Sequence, residues 1–218
     1  LKRETSRFVK AFLNVDITPE ACIPTTGSVA GSFGSFIVTS QCSPGKDTVL
    51  FINPGFPIQK SQLKILGVKY RQFDIFNYRG AALRDKLESF LKEGNISAII
   101  YSNPNNPAWI CLEEEELQII GELATQYDTI VLEDLAYFAM DFRRDLSRPF
   151  EPPFQATVAR YTDNYMLMLP ASKIAMPASE WPSYVFPTNS STAVTRPWPN
   201  ATTEPDFSAT RLPTRSCT

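Results

Sequence analysis

Apolar and polar positions follow two different periods along the chain, and these periods divide residues 1–173 into strands and helices. Short continuous apolar runs predict buried strands, whereas apolar residues spaced three or four positions apart predict helices. The predicted strands are 48–52, 69–73, 96–101, 129–132 and 164–169, and the predicted helices are 6–13, 28–40, 59–66, 81–92 and 113–127. Apolar strands that alternate with helices favour a mostly parallel sheet with both faces covered. The sequence therefore predicts an α/β fold.

The last of these helices opens with four consecutive glutamates, Glu113 to Glu116. Negative charge is favourable at the N-terminus of a helix because of the helix dipole. A metal site built from the four carboxylates is the alternative interpretation, and the solvated start of a helix is the favoured one.

The apolar period stops at Lys173. Residues 174–218 contain no lysine, seven prolines and fourteen serines or threonines. This composition is typical of a segment that cannot build a packed core. The sequence therefore predicts a domain over residues 1–173, followed by a low-complexity, irregular tail over residues 174–218.

Composition narrows the class of protein. A hydrophobic content of 43% and a net charge of -2 are typical of a globular chain and do not favour nucleic-acid binding. No apolar run approaches the ~20 residues that span a bilayer, and the scattered cysteines predict reduced thiols and a cytoplasmic location. The absence of histidine excludes Ser-His-Asp and Cys-His catalysis, and no metal site is predicted. The chain starts at Leu1 without an initiator methionine, so it is expected to begin inside a longer protein.

Five short segments stand out at predicted strand ends or at a helix start. They are Thr-Gly-Ser-Val at 26–29, Asn-Pro-Gly-Phe-Pro at 53–57, Asn-Pro-Asn-Asn-Pro at 103–107, Asp-Leu-Ala-Tyr at 134–137 and Ser-Lys at 172–173. Open parallel sheets bind ligands beyond the carboxyl ends of their strands. We therefore expect these segments to meet at one edge of the sheet.

Their side chains suit the parts of a phosphorylated pyridine aldehyde. Asp134 can pair with a protonated ring nitrogen, and Phe56, held between two prolines, can stack on a flat ring. Gly27 and Ser28 open a helix whose free N–H groups can bind phosphate. The alternatives are that Asp134 is a turn residue, that Phe56 is a core aromatic, and that Gly27 and Ser28 form an ordinary helix cap.

Three further residues complete this set. Asn106 and Tyr137 can hydrogen-bond a phenolic oxygen, although a proline turn and a core tyrosine are the alternatives. Lys173 follows an apolar strand, where partial desolvation would favour a Schiff base with the aldehyde; the alternative is a surface lysine. The order of the five segments and their position at strand ends indicate a pyridoxal 5′-phosphate (PLP) site.

Residues from about Arg3 to Lys173 resemble the fold-type-I PLP-dependent enzymes, in particular the class I/II aminotransferases. The resemblance implies the three-layer α/β/α large domain of that family, in incomplete form. It also implies that Lys173 forms the Schiff base and moves the proton between the substrate Cα and the cofactor C4′. The remaining implied contacts are Asp134 on the ring nitrogen, Asn106 and Tyr137 on the phenolic oxygen, Phe56 on the ring, and Gly27, Ser28, Val29 and Ser172 near the phosphate.

The resemblance further implies amino-group transfer from an amino acid to a 2-oxo acid by a ping-pong mechanism in a homodimer. It covers only the central part of the family's longer chain, so impaired activity is expected. A PLP-dependent C–S lyase and an inactive fragment are the two alternatives.

This chain departs from the family pattern at three places. Ala108 and Trp109 replace the usual Thr-Gly, Pro170 replaces a phosphate-binding serine, and residues 178–181 lack the family's Gly-x-Arg. Back-translation of residues 175–182 with permitted codons yields a shifted frame that contains Gly-x-Arg. We hypothesise that residues from about Ala175 onward are translated out of frame, with a genuine extension as the alternative; the coding DNA distinguishes the two.

Overall fold

The computed structural model describes residues 1–141, 143, 148–170, 173 and 182–185. The helices are α1 (Lys2–Leu13), α2 (Gly27–Cys42), α3 (Pro57–Leu66), α4 (Ala82–Leu91) and α5 (Glu114–Gln126). The strands are β1 (Cys22–Pro24), β2 (Thr48–Asn53), β3 (Lys69–Asp74), β4 (Ile96–Ser102), β5 (Ile130–Asp134), β6 (Tyr165–Pro170) and β7 (Pro182–Val185).

The predicted α/β fold is confirmed, and every predicted helix and strand is present within a few residues of its expected ends. Two short strands, β1 and β7, were not predicted. With three and four residues respectively, they are too short to show a period of their own. Strand β7 lies inside the segment predicted to be irregular. Ser172 and, apart from β7, the whole of the predicted tail at 174–218 lie outside the described residues.

The seven strands form one sheet in the order β1-β7-β6-β5-β4-β2-β3. The pairs from β6 through β5, β4 and β2 to β3 are all parallel, whereas β7 pairs antiparallel with both β6 and β1. The mostly parallel sheet expected from the apolar strands is therefore confirmed. At its outer edge, β3 exposes charged residues such as Lys69 and Arg71, which discourage pairing with another chain.

Alternate residues of the central strands supply two separate cores. On one face, Leu50, Ile99 and Val131 pack with apolar residues of α1, α4 and α5. On the other face, Phe51 and Leu132 pack with Phe36 of α2 and Leu63 of α3, together with other strand residues. This arrangement gives three layers, with the sheet in the middle. A side chain at the end of a strand can therefore contact only the helices on its own face of the sheet.

No helix in the described part of the chain combines the length and the apolar character needed to cross a membrane.

Candidate active site

The carboxyl ends of four adjacent parallel strands bring the predicted segments to one edge of the sheet. Strands β2, β4, β5 and β6 end at Asn53, Ser102, Asp134 and Pro170, and the ladder pairs Ser102 directly with Asp134. The segments that contain Phe56, Asn106, Tyr137 and Lys173 follow these ends in turn. The expected common edge is therefore observed for the segments at 53–57, 103–107 and 134–137, which directly follow β2, β4 and β5.

Asp134 is the buried carboxylate of this edge. It lies on the side of the sheet that faces α2 and α3, and only 5% of its surface is exposed. Gln59 Nε2 donates a hydrogen bond of 3.1 Å to its Oδ2, and the backbone N–H of Ala136 donates one of 3.1 Å to its Oδ1. Burial raises the pKa of Asp134 to about 6, although these two donors oppose the rise. A cation beside this carboxylate would therefore stabilise its charged form.

The loops after β2 and β4 are joined by Asn105, a buried residue. Its Nδ2 donates hydrogen bonds to the carbonyl oxygen of Pro54 and, at 3.3 Å, to Ser102 Oγ. Its Oδ1 accepts a bond of 3.1 Å from the Ala108 N–H, and Ser102 Oγ accepts one of 3.2 Å from the Asn106 N–H. The half-buried Asn106 therefore lies in a loop that the hydrogen bonds of Asn105 and Ser102 hold in place.

Tyr137 and Trp109 connect the loops after β4 and β5. Their ring centroids lie 5.4 Å apart with an interplanar angle of 65°, a favourable edge-to-face arrangement. Trp109 has a φ of 55°, a left-handed conformation that suits glycine far better than an aromatic residue. The sequence resemblance implies a glycine at this position, and Trp109 has the backbone conformation that glycine favours. The tryptophan also adds an aromatic ring beside the half-buried Tyr137.

The first turn of α2 presents backbone N–H groups without intrahelical partners. Gly27, Ser28 and Val29 are the first three residues of this helix, and the Thr26 side chain forms no capping bond to them. Gly27 is buried and has a φ of 86°, which requires glycine and lets the backbone turn sharply into the helix. These features are those of an anion-binding helix start.

Phe56 and Lys173 differ in how closely the structure holds them. Phe56 is half-buried and immediately precedes α3, whose first residue is Pro57. Lys173 is exposed, so the partial desolvation predicted for it is wrong in this structure. Strand β6 ends at Pro170, three residues before Lys173.

Comparison with known proteins adds an independent observation. The family model described as aminotransferase class I and II matches residues 1–173. The chain belongs to this family. It is 34% identical over 144 residues to the glutamate-pyruvate aminotransferase AlaC of Escherichia coli K12, a match that covers 63% of this chain and 33% of AlaC.

Solved structures show the same aminotransferase fold. An aminotransferase from Mycobacterium tuberculosis superposes with a TM-score of 0.69 at 19% identity, over 86% of this chain and 46% of that one. The PLP-bound C–S lyase from Staphylococcus hominis superposes with a TM-score of 0.69 at 18% identity, over 87% of this chain and 47% of that one. The chain spans about a third of the length of AlaC and less than half of each of these structures.

The opposite face of the aminotransferase sheet contains a second buried carboxyl group, Glu133. Its Oε2 accepts hydrogen bonds of 2.5 Å from Thr157 Oγ1 and 3.2 Å from the Val158 N–H. Its Oε1, Tyr101 Oη and Asn103 Nδ2 are buried without a hydrogen bond to any described residue. Burial raises the pKa of Glu133 to about 7, and the hydrogen bonds from Thr157 and Val158 lower it only in part. Glu133 cannot reach the other face, where Asp134 lies.

Sequence reasoning did not select Gln59 or Asn105 as site residues. A signal for Gln59 was available, because Gln59 and Gln62 lie three residues apart on the same helical face as Leu63 and Leu66. Two amides among apolar positions of a helix indicate buried hydrogen bonds. Asn105 carries no comparable signal, since asparagine is common in proline-rich turns.

Proposed function

We propose that this chain provides the cofactor-binding part of a PLP-dependent aminotransferase, which transfers an amino group from an amino acid to a 2-oxo acid. The observation that most supports the proposal is the environment of Asp134. It is a buried carboxylate at the carboxyl edge of a parallel sheet, held by Gln59, with the segments that contain Phe56, Asn106 and Tyr137 beside it.

The residues present fit the parts of the cofactor. Asp134 uses one lone pair on each oxygen for its two hydrogen bonds, so acceptor capacity remains for a ring N–H. The uncapped first turn of α2 suits a phosphate group. Phe56, which is half-buried, offers an aromatic face for a planar ring.

When bound, PLP supplies an aldehyde and an electron-withdrawing ring that stabilises negative charge at the substrate Cα. Asp134 would keep the ring nitrogen protonated, because a buried carboxylate is itself stabilised by an adjacent cation. Asn106 and Tyr137 would hydrogen-bond the phenolic oxygen. Lys173 would hold the cofactor through its aldehyde, and its free amine would move the proton at the substrate Cα.

The test is a titration of the purified chain with PLP, followed by borohydride reduction and peptide mass mapping. We expect one reduced adduct on Lys173 at low PLP concentration. The Lys173→Ala variant should lose this adduct, whereas a Lys69→Ala variant should retain it, because Lys69 lies on the exposed edge strand β3.

Adducts spread over surface lysines, with none on Lys173, would contradict the proposal and favour the inactive-fragment interpretation. If the adduct forms, the amino-transfer step is tested with amino acid and 2-oxo acid pairs. The expected product is a new amino acid formed from the 2-oxo acid.

A C–S lyase is the second candidate, because the Staphylococcus hominis C–S lyase shares this fold with the same TM-score as the aminotransferase. That chemistry cleaves a carbon–sulfur bond and releases a thiol, ammonia and a 2-oxo acid without an acceptor. Incubation with a thioether amino acid, in the absence of any 2-oxo acid, separates the two reactions. Thiol release would favour the lyase.

A further inference from the structure

Two buried glutamines on α3 contact two different parts of the proposed site. Gln59 bonds to Asp134, as described above. Gln62, one turn later on the same face, bonds to α2: its Oε1 accepts a hydrogen bond of 2.7 Å from Ser32 Oγ, and its Nε2 donates one of 2.7 Å to the carbonyl oxygen of Val29. Only 6% of Gln62 and 2% of Ser32 are exposed.

Val29 belongs to the first turn of α2, whose N–H groups form the proposed phosphate site. A bond to its carbonyl oxygen therefore acts on the backbone of that turn. The same carbonyl oxygen lies 3.1 Å from Ser32 Oγ, so Gln62 and Ser32 together restrict its position. Gln62 has no other hydrogen bond of its side chain within the described residues.

Apolar packing alone does not require this arrangement. Gln62 is flanked by Leu63, which is fully buried in the core between α3 and the sheet. Burial of an amide costs free energy unless its hydrogen bonds are made, and leucine would bury without that requirement. The two hydrogen bonds of Gln62 fix the distance and the orientation of α3 relative to the first turn of α2. Apolar contacts fix these less closely.

We propose that Gln62 is a positioning residue for the phosphate group: it holds the first turn of α2 at a set distance from α3, which also holds Asp134 through Gln59. The ring end and the phosphate end of the cofactor are then placed relative to each other by one helix. This inference rests on the proposed function and concerns only the phosphate end of the site.

The test compares the affinities of PLP and of pyridoxal, which has the same ring and aldehyde but no phosphate. We expect Gln62→Leu to weaken PLP binding about tenfold, because the first turn of α2 is then no longer held in place before binding, and to leave pyridoxal binding unchanged. Gln118→Leu is the matched control, because Gln118 is exposed on α5 and bonds only to Glu122 among the described residues. The control should change neither affinity.

A merely structural role of Gln62 gives a different result, because a loosened fold would weaken both ligands alike. Equal losses for PLP and pyridoxal, or no loss at all, would overturn the inference. If Gln62→Leu fails to fold, Ser32→Ala provides the test, since it removes one hydroxyl and leaves the Gln62–Val29 bond. It should lower PLP affinity by a smaller factor and again spare pyridoxal.

The wild-type chain separates this inference from the proposed function. If it binds PLP and pyridoxal equally but forms the adduct on Lys173, the phosphate site is absent and the inference alone is overturned. If it binds neither, both the proposed function and the inference are overturned.

Discussion

Glu133 shows at the level of a single residue how burial changes the response of this protein to pH. Its pKa is about 7 in the folded chain, against an ordinary value of 4.5. Between these values the folded state binds more protons than the unfolded state, so the free energy of unfolding falls as pH rises. Asp134, with a pKa of about 6, acts in the same direction. The contribution of Glu133 is present at low pH and is lost as pH approaches 7.

We predict that Glu133→Gln removes much of this pH dependence. The variant should be more stable than the wild-type chain at pH 8, by up to roughly 3 kcal/mol, and the difference should shrink towards pH 5. Chemical denaturation at several pH values measures the effect. Wild-type and variant curves that stay parallel from pH 5 to pH 8 would contradict it. Glutamine is the appropriate replacement because its amide oxygen can still accept from Thr157 and Val158.

The ion pair of Arg79 and Glu116 is a second effect at this scale. Only 1% of the Glu116 side chain is exposed, and Arg79 donates to both of its oxygens, at 2.5 Å from Nε and 2.8 Å from Nη2. Burial raises the pKa of Glu116, but the bonds from Arg79 and from the backbone of Glu113 and Gly80 outweigh it and lower the pKa overall. Loss of Arg79 would leave a buried carboxylate with too few donors.

We predict that Arg79→Met lowers the free energy of unfolding by about 2 kcal/mol, less than for a fully buried pair because Arg79 is partly exposed. Arg84→Met is the matched control, since Arg84 and Glu122 form an exposed pair. It should cost less than about 1 kcal/mol. Urea denaturation of both variants measures the difference, and equal costs would show that burial of Glu116 does not matter.

Two helical glycines show at the level of elements that packing outweighs helix propensity. An added Cβ at Gly121, in α5, would lie 2.5 Å from Tyr161 Cβ and 3.1 Å from the Tyr161 backbone, whereas at Gly34, in α2, it would meet nothing within 4 Å. Alanine is favoured over glycine in a helix by up to about 1 kcal/mol. Overpacking costs about 1–3 kcal/mol.

We therefore predict opposite signs for the same substitution. Gly34→Ala should raise the free energy of unfolding by up to about 1 kcal/mol, and Gly121→Ala should lower it by about 1–3 kcal/mol. Thermal unfolding of the two variants measures both effects. A stabilising Gly121→Ala would mean that α5 and Tyr161 separate more easily than their contact indicates.

At the scale of the whole molecule, strand β7 covers the edge of the buried strand β6. Strand β6, all of whose residues are buried, pairs with β5 on one side and with β7 on the other. Without β7, an apolar strand would become the edge of the sheet and expose unpaired backbone groups, a condition that favours association between chains.

We predict that a chain ending at Lys173 aggregates, although residues 1–173 are the part that matches the family. A chain ending at residue 190 retains β7 and should stay monodisperse at the same concentration. Light scattering during size-exclusion chromatography compares the two. Monodisperse behaviour of the shorter chain would show that β7 is not needed to cover β6.

Much of the fold follows from the sequence, because strands such as β4 and helices such as α5 each have a clear apolar period of their own. The positions of Asp134 and of the segments at 53–57 and 103–107 could also be predicted, since they come directly after apolar runs and parallel strands share their carboxyl edge. The short strands β1 and β7 could not be predicted, because their pairing depends on β6 and on each other.

The tertiary structure alone decided the partners of the site residues. Gln59 and Asp134 are 75 positions apart, and Gln62 and Ser32 are 30 apart, so no local pattern links them. It also decided that burial raises the pKa values of Glu133 and Asp134, and that Lys173 is exposed. The physical reason is that apolar periods specify which face of an element is buried, whereas hydrogen bonds and desolvation depend on which groups meet once elements pack.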